Sequence, residues 1–506
     1  MNPPHPVEVL PADEFNRTLI ANAHPPDWVN PTPAGRYNLV VLGAGTAGLV
    51  AAAGAAILGA RVALIERNLM GGDCLNYGCV PSKALIRASR VVKAVTEARA
   101  FGVETSPAQV DFAEVMRRVR KVRAEIAPHD SAQRFSKFGV DVYLGEARFV
   151  DRKSIEVEGQ RLLFRKAIIA TGARPAPLAI PGLQEAGYLT NETVFSLTDL
   201  PRRLVVIGGG PICCELAQAF ARLGSQVSLV SDMTRLLPRE DPDSAAILEQ
   251  QFRREGIELF LGAKVVRAEK STVGKILIFD RGNGGETVVA DEILIAIGRV
   301  PNVEGLNLES AGVRYDERQV LVDDHLRTSN ANIFAAGDIG SSFHFTHAAE
   351  ALGRIALQNA LFFGRKRASS LVIPWCTYTD PEIAHVGMYE KDAREKGIEV
   401  ASFTLPFSDN DRGVVDGDTA GFARVHVNKK NGRLLGATLV SSHAGESIGE
   451  LVLAIQRRMK VGDLGSVIHP YPTEAEIIKR IGDSSMRGRL KPWMKDLLLK
   501  FFQWRR

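Results

Sequence analysis

Short apolar runs alternate with Ala-rich helical stretches through most of this chain. Residues 37–42 (Tyr37, Asn38, Leu39, Val40, Val41, Leu42) have the length and composition of a buried strand. They lead into Gly43-Ala44-Gly45-Thr46-Ala47-Gly48, then an Ala-rich helical stretch, then a second strand at 61–65 that ends on Glu66. The same unit returns later: a strand at 203–207, the turn Gly208-Gly209-Gly210, a helix over 215–223 and a strand at 226–230. Three more apolar runs close on glycine, at 166–172, 293–299 and 333–338. From about Ser370 the pattern changes to antiparallel-looking strands at 401–405, 421–427 and 434–441, with helices from Gly445 onward. That part predicts an α+β domain without phosphate loops, suited to an interface or to one wall of a site.

The glycine spacing gives the first two units a chemistry. Gly43 makes a tight turn, Gly45 lets backbone approach a pyrophosphate, and Gly48 lets helix and strand pack closely. Glu66 stands where it can accept from a ribose hydroxyl. In the second unit Gly208 and Gly210 are kept, but Cys213 replaces the third glycine, which predicts a helix slightly farther from its strand. Two fingerprints imply an α/β protein with two Rossmann-like dinucleotide-binding domains. In the later runs, Asp338 is placed to bind a ribityl hydroxyl. Phe345-Thr346-His347-Ala348 opens a helix whose first amides can face an electron-rich ring edge. His347 itself reads as a capping or packing residue.

The most reactive stretch lies between these units, Gly71-Gly72-Asp73-Cys74-Leu75-Asn76-Tyr77-Gly78-Cys79-Val80-Pro81-Ser82-Lys83. Pro81 suits the first turn of a helix, so Cys79 falls at a helix N-terminus, where unpaired amides favour a thiolate. Lys83 adds positive charge one turn on. A low-pKa cysteine beside a second one is the chemistry of a redox disulfide; the alternative is two buried structural thiols. A redox pair beside the first fingerprint makes one dinucleotide a flavin and the other a nicotinamide cofactor.

Composition narrows the setting. A chain of 506 residues, 45% hydrophobic and 24% charged, is an ordinary globular protein of several domains. No apolar run approaches the roughly 18 residues of a membrane span, and the N-terminal residues lack the basic-then-apolar layout expected of a signal peptide. Five cysteines point to a reducing cytoplasm rather than a secreted scaffold. The net charge of +5 sits in the tail, where residues 487–506 hold seven basic side chains and one Asp. No zinc spacing or helix-turn-helix pattern accompanies it, so nucleic-acid binding is not expected. In that tail Met494, Leu497, Leu498, Phe501 and Trp504 form a helical apolar stripe flanked by Lys and Arg, which suits a membrane surface, a partner groove or a helix folded back on its own dimer. Residues 1–36 are Pro-rich and read as an extended arm pinned by Trp28.

The redox stretch, both glycine fingerprints, Ala170-Thr171-Gly172, Ile297-Gly298-Arg299-Val300-Pro301-Asn302 and Ala335-Ala336-Gly337-Asp338 together resemble the class I pyridine nucleotide-disulfide oxidoreductases over residues 37–485. The family includes dihydrolipoamide dehydrogenase, glutathione reductase and mercuric reductase. The resemblance implies an N-terminal extension (1–36), an FAD domain in two parts (37–180 and 301–369), an NAD(P) domain between them (181–300), an α+β dimerisation domain (370–485) and a basic amphipathic tail (486–506). It implies FAD and NAD or NADP as cofactors, and a homodimer whose active site is shared between chains. Hydride would pass from the nicotinamide through the flavin to the disulfide, with Cys79 as the flavin-side thiolate and Cys74 as the exchanging thiol. Lys83 and Glu215 look like the ion pair beside flavin N5. Ala147, Thr171, Gly172, Gly298, Asp338 and Ala348 fall at cofactor-lining positions, and Pro211 stands where many relatives gate the nicotinamide pocket.

The chain also departs from that pattern. The acid–base element of disulfide-reducing relatives here reads His469-Pro470-Tyr471-Pro472-Thr473-Glu474-Ala475-Glu476, with Tyr471 at the catalytic His position and Glu476 as its orienter. An unperturbed Tyr titrates about 3.5 units above His and is a poor base for a dithiol. A dihydrolipoamide-type reaction then needs His469 to reach in. Tyrosine at this place is similar to mercuric reductase, yet the C-terminal vicinal cysteine pair of that branch is missing. Cys213-Cys214 reads as buried packing. No resident metal site is expected. The reading is a mercuric reductase-like NAD(P)H-dependent flavoprotein acting on a small disulfide or metal-thiolate acceptor; the alternatives are a dihydrolipoyl dehydrogenase and a non-catalytic membrane-tethered flavoprotein. At the nicotinamide ribose, Asp232 disfavours a 2′-phosphate while Ser231 and Arg235 can accept one, and the balance leans to NADH.

Overall fold

The computed structural model describes residues 7–282, 284–487 and 492–506, so the first six residues of the expected arm and residues 488–491 of the expected tail lie outside it. The chain divides into two compact units, residues 1–234 with 255–371, and residues 235–254 with 372–506.

In the first unit the strand Arg36–Leu42 lies between Val62–Glu66 and Gln160–Ile169, parallel to both, with Val41 opposite Leu64 and Ile168. Val140–Leu144 continues the sheet beyond Val62–Glu66, and Ile333–Ala335 pairs with Gln160–Ile169. Both faces are covered, which is why these strands read as continuous apolar runs rather than alternating ones. Helix Thr46–Ile57 and helix Thr346–Leu361 pack on one face, where Ala51, Ala52, Leu352 and Ala356 join Leu39, Val41 and Leu64 in one core. A second parallel sheet has the order Glu258–Leu261, Gln226–Ser231, Arg203–Ile207, Glu292–Ile295. Both glycine fingerprints thus sit at the carboxyl ends of parallel strands, the place where open α/β sheets bind ligands.

The N-terminal extension departs from the extended arm read in the sequence. Between its proline-rich segments lies a ten-residue helix, Glu14–Ala23, opened by Asp13, whose carboxylate accepts from the Asn16 amide at 2.8 Å. Leu19 and Ala23 are fully buried in the core of the first sheet. The flanking prolines mask a helix whose cap was visible all along as Asp13. Trp28 does pin the segment, its indole N–H donating to the Val142 carbonyl at 3.0 Å.

The second unit is a five-stranded antiparallel sheet in the order Pro374–Thr377, Glu382–Gly387, Leu434–Ser441, Phe422–Asn428, Val400–Pro406. Ala384, Val425 and Leu439 from the strands and Leu451, Ile478 and Ile481 from helices Ala444–Gln456 and Glu476–Arg487 are fully buried in its core. Residues 235–254 belong to this unit. The Glu240 carboxylate accepts from the Trp375 indole at 2.7 Å and the Tyr389 hydroxyl at 2.6 Å, and Arg424 pairs with Asp241 and Asp243.

Candidate active site

Two consecutive glycines shape the redox stretch. Gly71 and Gly72 have φ of +90° and +60°, and a side chain on Gly72 would come within 2.6 Å of the Gly45 Cα. That close approach brings the first fingerprint against the short helix Gly72–Asn76, which carries Cys74. Helix Cys79–Glu97 follows after Gly78, with Cys79 as its first residue and Pro81 in its first turn, as the sequence predicts. Cys74 and Cys79 are free thiols here, and Cys79 is exposed, unlike a buried structural thiol. The Cys79 sulfur lies 3.2 Å from the Thr346 hydroxyl, on the first residue of helix Thr346–Leu361. The hydrogen bond from Cys74, helped by Thr346 and the Lys83 charge and opposed by desolvation, lowers the Cys79 pKa to about 6. The same bond, then burial, holds the Cys74 proton on far above the usual thiol range. One thiolate and one thiol side by side is the state expected of a reduced exchange pair at neutral pH.

Lys83, one turn into the helix, donates to the Glu215 carboxylate at 2.7 Å; Glu215 is buried on helix Pro211–Leu223. Asp73, beside Cys74, faces the Arg299 guanidinium at 3.3 Å and accepts from the Asn191 side chain at 3.1 Å. Arg299 also lies 3.7 Å from Asp338, whose carboxyl burial pushes to a higher pKa. The first unit thereby brings Cys74, Cys79, Lys83, Glu215 and Asp338 into one hydrogen-bonded and ion-paired neighbourhood. Thr346 belongs to it as well. The sequence showed that residue only as part of a helix opening, because its partner is distant in the chain.

The dinucleotide fingerprints pass a steric test. A Cβ on Gly43 would lie 2.4 Å from the Ala170 carbonyl, and one on Gly48 would lie 1.9 Å from the Gly43 carbonyl, so only glycine permits this turn. Gly45 has ordinary contact at 3.7 Å, leaving its backbone approachable. Glu66 ends its strand with one oxygen accepting from the Ala44 amide at 2.7 Å and the other from the Asn68 amide at 2.8 Å, and both keep a free lone pair. Thr171 donates to the Asn302 carbonyl at 2.9 Å, ahead of Gly172 at φ +67°. Ala147 opens the strand Ala147–Asp151, half-buried, and Ala348 is buried in the helix that starts at Thr346. In the second fingerprint Gly208 has φ +120°, and space is open around Gly210 and around Gly298. Cys213 takes its place against the strand, its buried thiol 3.3 Å from the Ala296 carbonyl, and burial raises its pKa to about 12. Cys214 is equally buried. Ser231 is buried with its hydroxyl accepting from the Met233 amide at 3.2 Å, while the neighbouring Asp232 is exposed.

The C-terminal unit corrects one expectation. Glu476 does not orient Tyr471: it lies 3.4 Å from Arg480, and the Tyr471 hydroxyl donates to Asp411 at 2.9 Å. That hydrogen bond raises the Tyr471 pKa further. Asp411 was invisible as a partner because it is far off in sequence, on helix Asp411–Asp416. Nor is His469 free to reach in. Its Nε2 meets Glu450 at 2.8 Å, its Nδ1 meets the Val467 carbonyl at 3.3 Å, and its side chain is 6% exposed. The unit also exposes apolar side chains, among them Val414, Val415, Leu453 and Ile468. Among the described residues no group of three or more His, Cys, Asp or Glu side chains is arranged to hold a metal ion.

With this geometry in place, comparison with known families decides the assignment. The pyridine nucleotide-disulphide oxidoreductase profile matches residues 37–353, and the dimerisation-domain profile of the same family matches residues 373–481. The chain belongs to the pyridine nucleotide-disulphide oxidoreductases. Members of this family use FAD and NAD(P)H. This oxidoreductase is 37% identical to a mercuric reductase of Staphylococcus aureus over 448 residues, 88% of this chain and 82% of that protein. It is 34% identical to a dihydrolipoyl dehydrogenase of Geobacillus stearothermophilus over 445 residues, 87% of this chain and 94% of that one. Its fold matches the Cu(II) complex of an HOCl-induced flavoprotein disulfide reductase from Escherichia coli, with TM-score 0.79, 28% identity, and 87% and 98% of the two chains covered. The dimerisation domain of this oxidoreductase supports a homodimer. Among its described residues no helix is long and apolar enough to cross a membrane.

Proposed function

We propose that this protein is an NAD(P)H-dependent flavoprotein reductase whose Cys74–Cys79 pair delivers electrons to a thiolate-binding metal ion rather than to a disulfide substrate. The observation that carries the choice of acceptor is Tyr471 hydrogen-bonded to Asp411 at the expected acid–base position. A phenol held protonated by a carboxylate can donate a proton but cannot take one from a dithiol near neutral pH. A soft metal ion bound by two sulfurs needs no such base, because thiolate is already its preferred ligand. The likeness to mercuric reductase, and to a reductase solved as a Cu(II) complex, supports the same class of acceptor. The lock on His469 by Glu450 argues against the dihydrolipoyl dehydrogenase alternative.

FAD, when bound, supplies two-electron transfer between nicotinamide and sulfur. Gly43, Gly45, Gly48 and Glu66 would hold its adenosine and pyrophosphate end, and Lys83, Asp338 and the start of helix Thr346–Leu361 its ring end. Lys83 and Glu215 keep each other charged in a part-buried site. Thr346 and Lys83 hold Cys79 as a thiolate, and Cys74 retains its proton until it meets the acceptor. Exposed Asp232 beside a buried, inward-turned Ser231 favours NADH over NADPH. In the homodimer, Tyr471 of one chain would face the cysteine pair of its partner.

The test is an anaerobic titration of the purified holoprotein with NADH and with NADPH, followed by turnover with Hg(II), Cu(II), lipoamide and glutathione disulfide. The reading requires uptake of one electron pair beyond that of the flavin. It also requires metal-ion reduction that collapses in Cys74→Ser and Cys79→Ser. Faster turnover with lipoamide than with either metal would reject the acceptor assignment.

A further inference from the structure

We propose that the tail helix Pro492–Trp504 docks this protein, lying in the plane of the surface, on a membrane that carries anionic phospholipid. The inference is independent of which acceptor the cysteines serve. None of the thirteen residues of the helix is buried. Trp493, Leu497 and Trp504 are 61%, 62% and 82% exposed, which is costly to leave in water on a helix with no core to join. At about 100° per residue, Trp493, Met494, Leu497, Leu498, Phe501 and Trp504 fall within one arc of about 140°, Phe502 and Leu499 widen it past Lys495, and Gln503, Asp496 and Lys500 leave only a narrow polar strip. The aromatic rings touch chiefly each other, with Phe501 5.6 Å from Phe502 and 6.3 Å from Trp504.

Charge and aromatic placement select the occupant. Residues 487–506 carry seven basic side chains against the single Asp496, whereas the rest of the chain is close to neutral. Arg505 lies over the Phe501 ring at 5.8 Å, so a cationic group stands directly against the apolar arc. A tryptophan stands near each end, and tryptophan favours the headgroup layer, where its ring is apolar and its N–H stays wet. A protein groove would need an apolar stripe but no such excess of one sign of charge. A helix of thirteen residues is about 20 Å long, against about 30 Å for a hydrocarbon core, so it lies on the bilayer rather than across it. The basic flank then meets phospholipid headgroups as the apolar face enters the acyl boundary.

The experiment is flotation of the full-length holoprotein with vesicles of phosphatidylcholine plus phosphatidylglycerol, and with vesicles of phosphatidylcholine alone. Two variants are run beside it, a chain ending at Met486 and the triple change Trp493→Ser, Leu497→Ser, Phe501→Ser. These residues make no core contacts, so NADH–ferricyanide activity reports that the fold is intact. The full chain should float with anionic vesicles, and neutral lipid or high salt should cut binding at least about tenfold. Both variants should lose binding to a similar degree. Three results would each overturn the proposal: flotation that survives truncation, no flotation of the full chain with anionic vesicles, or a shift in oligomeric mass on truncation that marks the tail as a contact between copies.

Discussion

The Tyr471 hydroxyl donates to the Asp411 carboxylate across 2.9 Å, and Arg480, 3.3 Å from that same carboxylate, joins it to Glu476. Tyr471 is therefore a phenol in a carboxylate–guanidinium network, with Glu476 turned to Arg480. Replacing Tyr471 with His should raise dihydrolipoamide–NAD turnover by roughly 10²-fold, the usual scale of general-base help. Metal-ion reduction should change little. Lipoamide turnover unmoved by Tyr471→His would mean that proton transfer is not what limits that reaction.

Thr346 supplies the only hydroxyl found within reach of the Cys79 sulfur among the described residues. Because the Cys79 pKa is lowered to about 6, thiolate absorbance in the reduced protein should fall as pH drops through about 6 and stay constant above neutrality. Thr346→Val removes a donor to the charged form, so the midpoint should move upward, toward an ordinary thiol. Ultraviolet titration of the two proteins reads this directly. An unchanged midpoint would mean that the Cys79 thiolate is stabilised without help from Thr346.

Lys83 and Glu215 form an unequal pair, the carboxylate buried and the ammonium partly open to solvent. Lys83→Met leaves a buried carboxylate without its main counter-charge and should cost about 1–3 kcal/mol in thermal or urea unfolding. Glu215→Gln should cost less, because Lys83 can turn to water. Equal losses in the two variants would show that the pair acts through packing rather than charge.

In the second unit, Glu240 is buried beneath Trp375 and Tyr389, and burial raises its pKa. Tyr389→Phe strips one donor from this carboxylate and should destabilise the protein by about 1–3 kcal/mol near neutral pH. A raised carboxyl pKa means the folded state favours the protonated acid. The penalty of Tyr389→Phe should therefore shrink as pH falls and Glu240 takes up its proton. Melting curves from neutral to mildly acidic pH would show the gap between variant and parent closing.

Most of what positions the redox pair could be read in the chain. Gly43 and Gly48 announce the turn because no other residue fits there, and Gly45 leaves its backbone open to a ligand. Pro81 announces the helix start that activates Cys79. These signals are local, set by backbone geometry within a few residues. What escaped were contacts between distant segments: Thr346 with Cys79, Asp411 with Tyr471, Glu450 with His469. A single sequence carries no period or spacing that links such pairs. The helix Glu14–Ala23 was missed for another reason, since the prolines on both sides outweighed the cap signal of Asp13.

The excursion of residues 235–254 has a consequence for how the molecule comes apart. The backbone passes from the first unit to the second and back before it leaves for good at 371–372. Three peptide crossings therefore tether the halves, and a single protease nick anywhere in the chain leaves them covalently joined. Limited digestion should yield nicked but undivided protein until the chain is cut at all three crossings, near residues 234–235, 254–255 and 371–372.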